Sequence, residues 1–494
     1  MRPFSFIHKY IKLSIGLSLL VIIAIVAIVI INNSKHNCNN CNVILVSLDT
    51  LSALHLPCYG YERNTAPNLC SYAAKNLLFT NSFSQAPITL DSHFSIFTSL
   101  YPHTHKMTTV SGPPLNEQYL TLAQVLRNEG YDTVYNGSQT DLHLPLNRGI
   151  ERGFNVIRGS SHIETWDESY KLFDENSKKN KKTFLFLHTY AVHQPNLTGH
   201  KEKHLYTNQK EFSNIPLTVD EYAKITPEYL DFVVKRTERI TTSNKNDLDK
   251  FNTEKDLRLA KEMKLAKTFN EKVKIYNQMS IPYKGISMQN WRTLLVKQDD
   301  PAQIEYLKAL YDEKINELDE NLKKLFELVQ SPKYSKNTIL IITADHGEEF
   351  MEHGHLYHAE NLFTTSTRVP LIIHIPGAKA KTIKEYVQGI DIYPTILSLL
   401  GLKPKSHIEG IDLTGVIGDA VNANTNKYLL SEFEGKIGIQ MQNWRFYYDA
   451  NSKKPVDLYN LTTDPKEKTN LIKDKKEKLS EFMNLVKKLN IKFN

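Results

Sequence analysis

Two stretches of the chain end in residues that could hold a metal. Val43-Ile-Leu-Val-Ser-Leu48 is a continuous apolar run that stops at Asp49. Asn337-Thr-Ile-Leu-Ile-Ile-Thr-Ala-Asp345 stops at Asp345-His346-Gly347-Glu348. Such runs read as buried strands of a parallel sheet. Carboxylates beside an imidazole suit a divalent metal. Asp49 alone could equally cap a following helix. Asp345 followed at once by His346 is harder to explain that way.

A third stretch supplies hydroxyls. Ala86-Pro-Ile-Thr-Leu-Asp-Ser-His-Phe-Ser-Ile-Phe-Thr-Ser-Leu-Tyr-Pro102 carries five Ser and Thr residues where a loop feeds a helix. Thr89, Asp91 and Ser92 are all good N-cap residues, so a well-capped helix is one reading. The other is a nucleophile. If the helix begins near Asp91, the Thr89 hydroxyl lies at its positive end, which favours an anion. A metal held by Asp49, Asp345 and His346 would act on the same oxygen.

Histidines complete the set. Thr183-Phe-Leu-Phe-Leu-His188 is another apolar run, and His193 lies just past its end, where an imidazole could reach a bound oxyanion. His188 reads as a structural hydrogen-bonding residue. His353, His355 and His358 sit close together, and one of them is expected to touch the site.

The elements that must position these residues alternate. A fourth apolar run covers Val369–Ile375, and helical patterns cover Tyr119–Asn128, Ile304–Val329 and Ile392–Leu400. Strands alternating with helices predict a doubly wound α/β sheet, in which function collects at the carboxyl ends of the strands. Asp49, His188 and Asp345-His346 all fall at such ends. The main domain is expected over residues 42–404. Residues 197–300 break the pattern and read as a helical insertion or lid, with a helical stretch at Glu254–Tyr276. Residues 405–494 read as a small α+β subdomain with strands at Lys427–Glu434, Ile437–Met441 and Trp444–Asp449 and a helix over 474–490.

The 494 residues and 41% hydrophobic content allow a substantial core. The net charge of +7 forms no basic stripe with interleaved aromatics, so no nucleic-acid partner is expected. Leu13–Ile31 carries no charge and would make a helix about 28 Å long, roughly a bilayer core. Arg2, Lys9 and Lys12 precede it. This predicts residues 1–35 as a cytoplasmic tail and single anchor, with the catalytic body outside the cytoplasmic membrane. A cleaved signal peptide is the rival; the run is long for one and lacks a small-x-small exit. In an exported chain Cys38 and Cys41 are expected to form a local disulfide. Cys58 and Cys70 are expected to be small buried residues.

The ordered motifs resemble the sulfatase family of the alkaline phosphatase superfamily. The likeness rests on Val43–Leu51 with Cys58-Tyr-Gly-Tyr61 and Thr65-Ala-Pro-Asn-Leu69, on Thr89–His103, and on Thr343-Ala-Asp-His-Gly-Glu-Glu349 with Arg368–Ile373. Asp457-Leu-Tyr-Asn-Leu461 with Asp464-Pro-Lys-Glu467 and Asn470-Leu471 resembles the family's C-terminal signature. The departures are informative. The family carries C-x-P-S-R, whose Cys or Ser becomes formylglycine; Thr89-Leu-Asp-Ser-His93 stands there, and a threonine cannot make that aldehyde. The family's Asp-Asp is Asp49-Thr50, and Asn136–His143 lacks the lysine of its G-K-x-H stretch. A threonine nucleophile resembles the phospho-transfer branch: phosphoethanolamine transferases, lipoteichoic acid synthases and nucleotide phosphodiesterases. That likeness implies one Zn²⁺ or Mn²⁺, rather than Ca²⁺ or Mg²⁺, held by Asp49, Thr89, Asp345 and His346. It implies His193 and His358 on the phosphoryl oxygens or the leaving group, and a phospho- or sulfo-ester substrate such as an envelope lipid or glycan. A sulfatase without formylglycine and an inactive binding protein on the same scaffold are the alternatives.

Overall fold

The structure, a computed structural model, describes residues 38–491 apart from 109–112, 138–143, 160–162, 194–204, 208–226, 235–252, 280–297 and positions 228, 232, 421, 422 and 424. The anchor expected over Leu13–Ile31 lies outside the described residues. Among those described, no helix is long and apolar enough to cross a membrane.

The apolar run before Asp49 is β1 (Asn42–Leu48), buried along its whole length. Its side chains alternate between two cores. Ile44, Val46 and Leu48 face one, with Leu310, Leu318 and Leu325 of the helix Pro301–Gln330. Val43 and Leu45 face the other, with Phe94 and Phe97 of the helix Thr89–Thr98 and Ile396 of the helix Ile392–Leu399. A strand covered on both faces needs apolar residues at every position, which is why the run is unbroken.

The other strands of this sheet are β2 (Leu77–Phe83), β3 (Asp132–Gly137), β4 (Val156–Gly159), β5 (Thr183–Thr189) and β6 (Thr338–Thr343). Beyond the short hairpin of β7 (Glu349–Phe350) and β8 (Leu356–Tyr357) come β9 (Arg368–His374) and β10 (Lys381–Gln388). Their order is β10-β2-β9-β6-β1-β5-β3-β4. The sheet is mixed, because β9 runs antiparallel to β6 and β2 while the other pairings are parallel. This corrects the expectation of a fourth parallel strand at Val369–Ile375. An apolar run carries no direction. The chain returns from β6 through a loop and a hairpin on the same edge, not through a crossover helix, so it must come back antiparallel.

The long helix starts where Asp300 accepts from the amides of Ala302 and Gln303, with Pro301 in its first turn. In the insertion, Thr253–Leu265 and Phe269–Tyr276 are two helices rather than one, because Thr268 and Glu271 form a capping box that starts the second. A separate antiparallel sheet follows: β11 (Leu429–Phe433), β12 (Lys436–Met441), β13 (Trp444–Asp449) and β14 (Lys454–Asn460), with the helix Lys476–Leu489 packed on it through Phe482.

Cys38 and Cys41 form the expected local disulfide. Cys58 and Cys70 are also bonded to each other, which corrects their reading as lone buried thiols. Their Cα atoms are brought to 5.3 Å by the turn from Pro57–Tyr59 into the helix Pro67–Ala73. Closing a loop of sequence separation 12 is worth about 3 kcal/mol on chain-entropy grounds. Cys58→Ala with Cys70→Ala is therefore expected to lower the melting temperature by several degrees, and reductant is expected to lower the wild type by more than the variant, which keeps only the short Cys38–Cys41 bond; calorimetry with and without reductant checks both.

Candidate active site and metal centre

The carboxyl ends of β1, β5 and β6 are neighbours, because β1 pairs with both. The chain leaves β1 at Asp49, which is fully buried. Thr50 then takes φ of +60°, a costly conformation for a β-branched residue. Its amide donates to Asp345 Oδ1 at 3.1 Å and its hydroxyl to its neighbour's carbonyl at 2.7 Å. The strained turn thus ties the two carboxylates together. It also leaves the Thr50 side chain bonded to backbone.

Past β6, Asp345 Oδ1 also accepts from the His346 amide at 2.9 Å. His346 Nδ1 lies 3.0 Å from the Gly347 carbonyl, so Nδ1 carries the proton and Nε2 offers a lone pair. Glycine is required next: a Cβ on Gly347 would run into the Thr365 carbonyl oxygen.

Thr89 opens the helix Thr89–Thr98, two positions earlier than the sequence suggested, and Ile88 holds the N-cap position with no side-chain cap. The Thr89 hydroxyl is therefore not a cap. It lies 3.4 Å from Asp49 Oδ2 and 3.4 Å from His346 Nε2. Ser92 bonds to the Ala86 carbonyl, away from this cluster. Asp91 is buried with one oxygen lacking a hydrogen bond, and burial followed by the nearby Glu432 pushes its carboxyl well up.

These spacings fit a metal. Asp345 Oδ2 is fully buried and accepts no hydrogen bond. It lies 3.5 Å from His346 Nε2, and Asp49 Oδ1 lies 3.9 Å from the same nitrogen. A cation between them would satisfy a lone pair turned toward two carboxylates. Tetrahedral ligands at about 2.0–2.1 Å from zinc sit roughly 3.3–3.4 Å apart, close to the Thr89, Asp49, Asp345 and His346 spacings. Burial pushes the His346 imidazole down, keeping it neutral for ligation.

Two further histidines support the cluster. His188 Nε2 bonds to Asp49 Oδ2 at 2.9 Å, the structural role expected of it. His93 was missed as a site residue. It is fully buried, bonds through Nδ1 to the Thr89 carbonyl at 2.8 Å and through Nε2 to Ser47 at 2.9 Å. Its position four residues after Thr89, one helical turn on, was the available signal.

The remaining histidines separate. His358 stands with its ring 4.5 Å from that of His346, and His193 lies behind it, 5.0 Å from the His358 ring. Burial pushes the His358 imidazole down to about 4. His353 instead stacks on Phe363 and bonds the Lys466 carbonyl, and His355 is exposed beside Glu360. Glu348, quoted in the sequence without a role of its own, is fully buried and bonds His358 Nδ1 at 2.9 Å.

The sulfatase family model matches residues 41–402. The chain belongs to the sulfatase family. A second model, the C-terminal domain of N-sulphoglucosamine sulphohydrolase, matches residues 351–492. Arylsulfatase K of Mus musculus is 30% identical over 184 residues, 34% of this chain and 33% of that protein. The matched segment thus spans about a third of that relative's length. N-acetylglucosamine-6-O-sulfatase of Bacteroides thetaiotaomicron is 21% identical over 477 residues, 87% of this chain and 82% of that one. Among solved structures, one bound to its substrate D-glucosamine-2-N,6-O-disulfate aligns with a TM-score of 0.64 at 20% identity, covering 91% of this chain and 97% of that one. The phosphonate monoester hydrolase of Agrobacterium radiobacter aligns at 0.58 and 18%, covering 91% and 95%. These likenesses show the shared fold, and divalent-metal binding is common to the sulfatase family.

The family's C-terminal signature is tied to the site loop by Glu467. This buried carboxylate accepts from the Thr364 amide at 2.9 Å, the Thr364 hydroxyl at 2.7 Å and the Tyr447 hydroxyl at 2.5 Å. Glu467→Ala leaves three donors without it and is expected to cost about 3 kcal/mol of stability. Urea unfolding followed by fluorescence measures this, and a loss under 1 kcal/mol would refute the assignment.

Proposed function

We propose that this sulfatase-family chain is a metal-dependent hydrolase or phosphotransferase of phosphate esters, with Thr89 as nucleophile, acting outside the cytoplasmic membrane from an N-terminal anchor. The observation that carries the reading is the placement of the Thr89 hydroxyl, 3.4 Å from both Asp49 Oδ2 and His346 Nε2 at the start of a helix. Asp49, Thr89, Asp345 and His346 would hold one divalent ion. An imidazole nitrogen beside three oxygens favours Zn²⁺, and Mn²⁺ accepts the carboxylates, whereas Ca²⁺ takes six to eight oxygens and Mg²⁺ keeps several waters in an octahedron. Bound there, such an ion lowers the cost of an alkoxide and of charge developing on the ester.

The chain's own groups supply the rest. Thr89 Oγ, its proton given up to solvent, attacks phosphorus in line, the P–O bond to the ester oxygen breaks, and phosphothreonine forms. His193 and His358 hold the phosphoryl oxygens or give the leaving oxygen its proton. Water or an acceptor alcohol then takes the phosphoryl group and frees Thr89. The anchor reading places the site where envelope lipids and glycans are the available esters.

A second reading is sulfate-ester hydrolysis without formylglycine, favoured by the sulfatases among the relatives and by the disulfated sugar bound to a structural neighbour. The full chain in detergent, offered aryl phosphate, aryl phosphodiester and aryl sulfate with Zn²⁺, Mn²⁺ and Ca²⁺ in turn, separates the two. Phosphoester turnover that depends on metal supports the first. Turnover of aryl sulfate alone replaces it with the second.

A further inference from the structure

Two adjacent buried carboxylates follow the metal-ligating His346, and they do different things. Glu349 is saturated by its own loop: it accepts from the His353 amide and the Asn361 side-chain amide, and pairs with His353 Nδ1 at 3.4 Å. That carboxylate holds the loop in shape. Glu348 has one partner in the described structure, His358 Nδ1, through Oε1 at 2.9 Å. Its Oε2 is buried without a hydrogen bond, and Glu348 is among the residues lining a cavity of about 910 Å³, with Tyr61, Lys308 and Phe350. A buried carboxylate with so little compensation is costly, and loop geometry is already secured by its neighbour.

We infer that Glu348 is a positioning residue that fixes the tautomer and ring orientation of His358, so that Nε2 faces the ester. A carboxylate accepting from Nδ1 places the proton there and leaves Nε2 a lone pair, which accepts from a hydroxyl of the transferred group or of the water that releases it. The ring it holds lies between His346 and His193. Without Glu348 the imidazole can turn or change tautomer, and the lone pair it offers to that hydroxyl is lost. This rests on the reading of the site as an ester-transfer centre, though not on which oxygen is the nucleophile.

The test is a double-mutant cycle on the full chain with Glu348→Ala and His358→Ala, read with whichever aryl ester the wild type turns over best. Each single variant is expected to lose 10- to 100-fold in kcat, with KM within about threefold and metal content unchanged. The double variant is expected to lose no more than the worse single. Glu348→Gln, whose amide oxygen can still accept from Nδ1, is expected to recover turnover to within about fivefold of wild type. The same cycle read in the Kd for inorganic phosphate by calorimetry reports even if no test ester is turned over, with about tenfold weakening in each single variant and none added in the double. Full additivity, or a Gln variant as poor as Ala, overturns the positioning role. Failure of the threonine reading shows separately, as activity that survives Thr89→Ala while the cycle stays non-additive.

Discussion

Thr89→Ala is expected to reduce ester turnover by at least ~10³-fold, which is about 4 kcal/mol of transition-state stabilisation. The size follows from what the hydroxyl does in the proposed chemistry. It forms the bond to phosphorus, and no other described hydroxyl is placed to replace it: Ser92 is bonded to the Ala86 carbonyl, and Ser47 to His93. Thr50, the nearest threonine in sequence to Asp49, spends its hydroxyl on backbone. Metal content is expected to fall little, since Asp49, Asp345 and His346 remain. Thr89→Ser keeps an oxygen in the same first turn of the helix and is expected to stay within about tenfold of wild type. Mass spectrometry of protein quenched during turnover should place the phosphoryl group on the peptide containing Thr89. Unchanged turnover in Thr89→Ala, with no phosphorylated peptide, would remove the nucleophile and return Thr89 to a packing role.

The two carboxylates of this site that were legible in the sequence share one property: each sits where an uninterrupted apolar run stops. Asp49 and Asp345 mark the ends of strands buried on both faces, and the change from apolar to charged is abrupt because water-free core gives way to a polar cluster within one residue. Thr89 was found by its hydroxyl-rich neighbourhood, although its helix starts two residues earlier than capping preferences suggested, since Ile88 caps without a side chain. What was not legible depends on partners far away in sequence. β10 reads Lys381-Thr-Ile-Lys-Glu-Tyr-Val-Gln388 and lies at the sheet edge, where charged residues are exposed and only part of the strand needs to be apolar. The direction of β9 was invisible because burial, not direction, sets its composition. Cys58 and Cys70 approach only because a turn and a helix fold back on each other. His93 and Glu348 were in view as letters, but their roles come from Thr89 and His358, which tertiary structure places against them.

Asp345→Asn separates metal binding from folding, because the two oxygens of this side chain serve different ends. Oδ1 accepts from the amides of Thr50 and His346, and an asparagine oxygen can keep both bonds. Oδ2, 3.5 Å from His346 Nε2 and without a hydrogen bond, becomes an amide nitrogen that can donate to that imidazole and occupy the lone pair a cation needs. Metal content is expected to drop well below one per chain and turnover by ~10³-fold or more. Stability should move in opposite directions according to the metal. Without it, wild type buries carboxylates 3.5–3.9 Å from an imidazole lone pair, so the metal-free variant is expected to melt at the same temperature or higher. With Zn²⁺ at about a thousand times its Kd, wild type gains roughly 4 kcal/mol by mass action, and the variant gains little. The order of melting temperatures therefore reverses on adding metal. A variant that still binds one ion per chain, or that Zn²⁺ stabilises as much as wild type, would show that the ion is held by other residues and that the buried oxygen of Asp345 answers to the surrounding histidines alone.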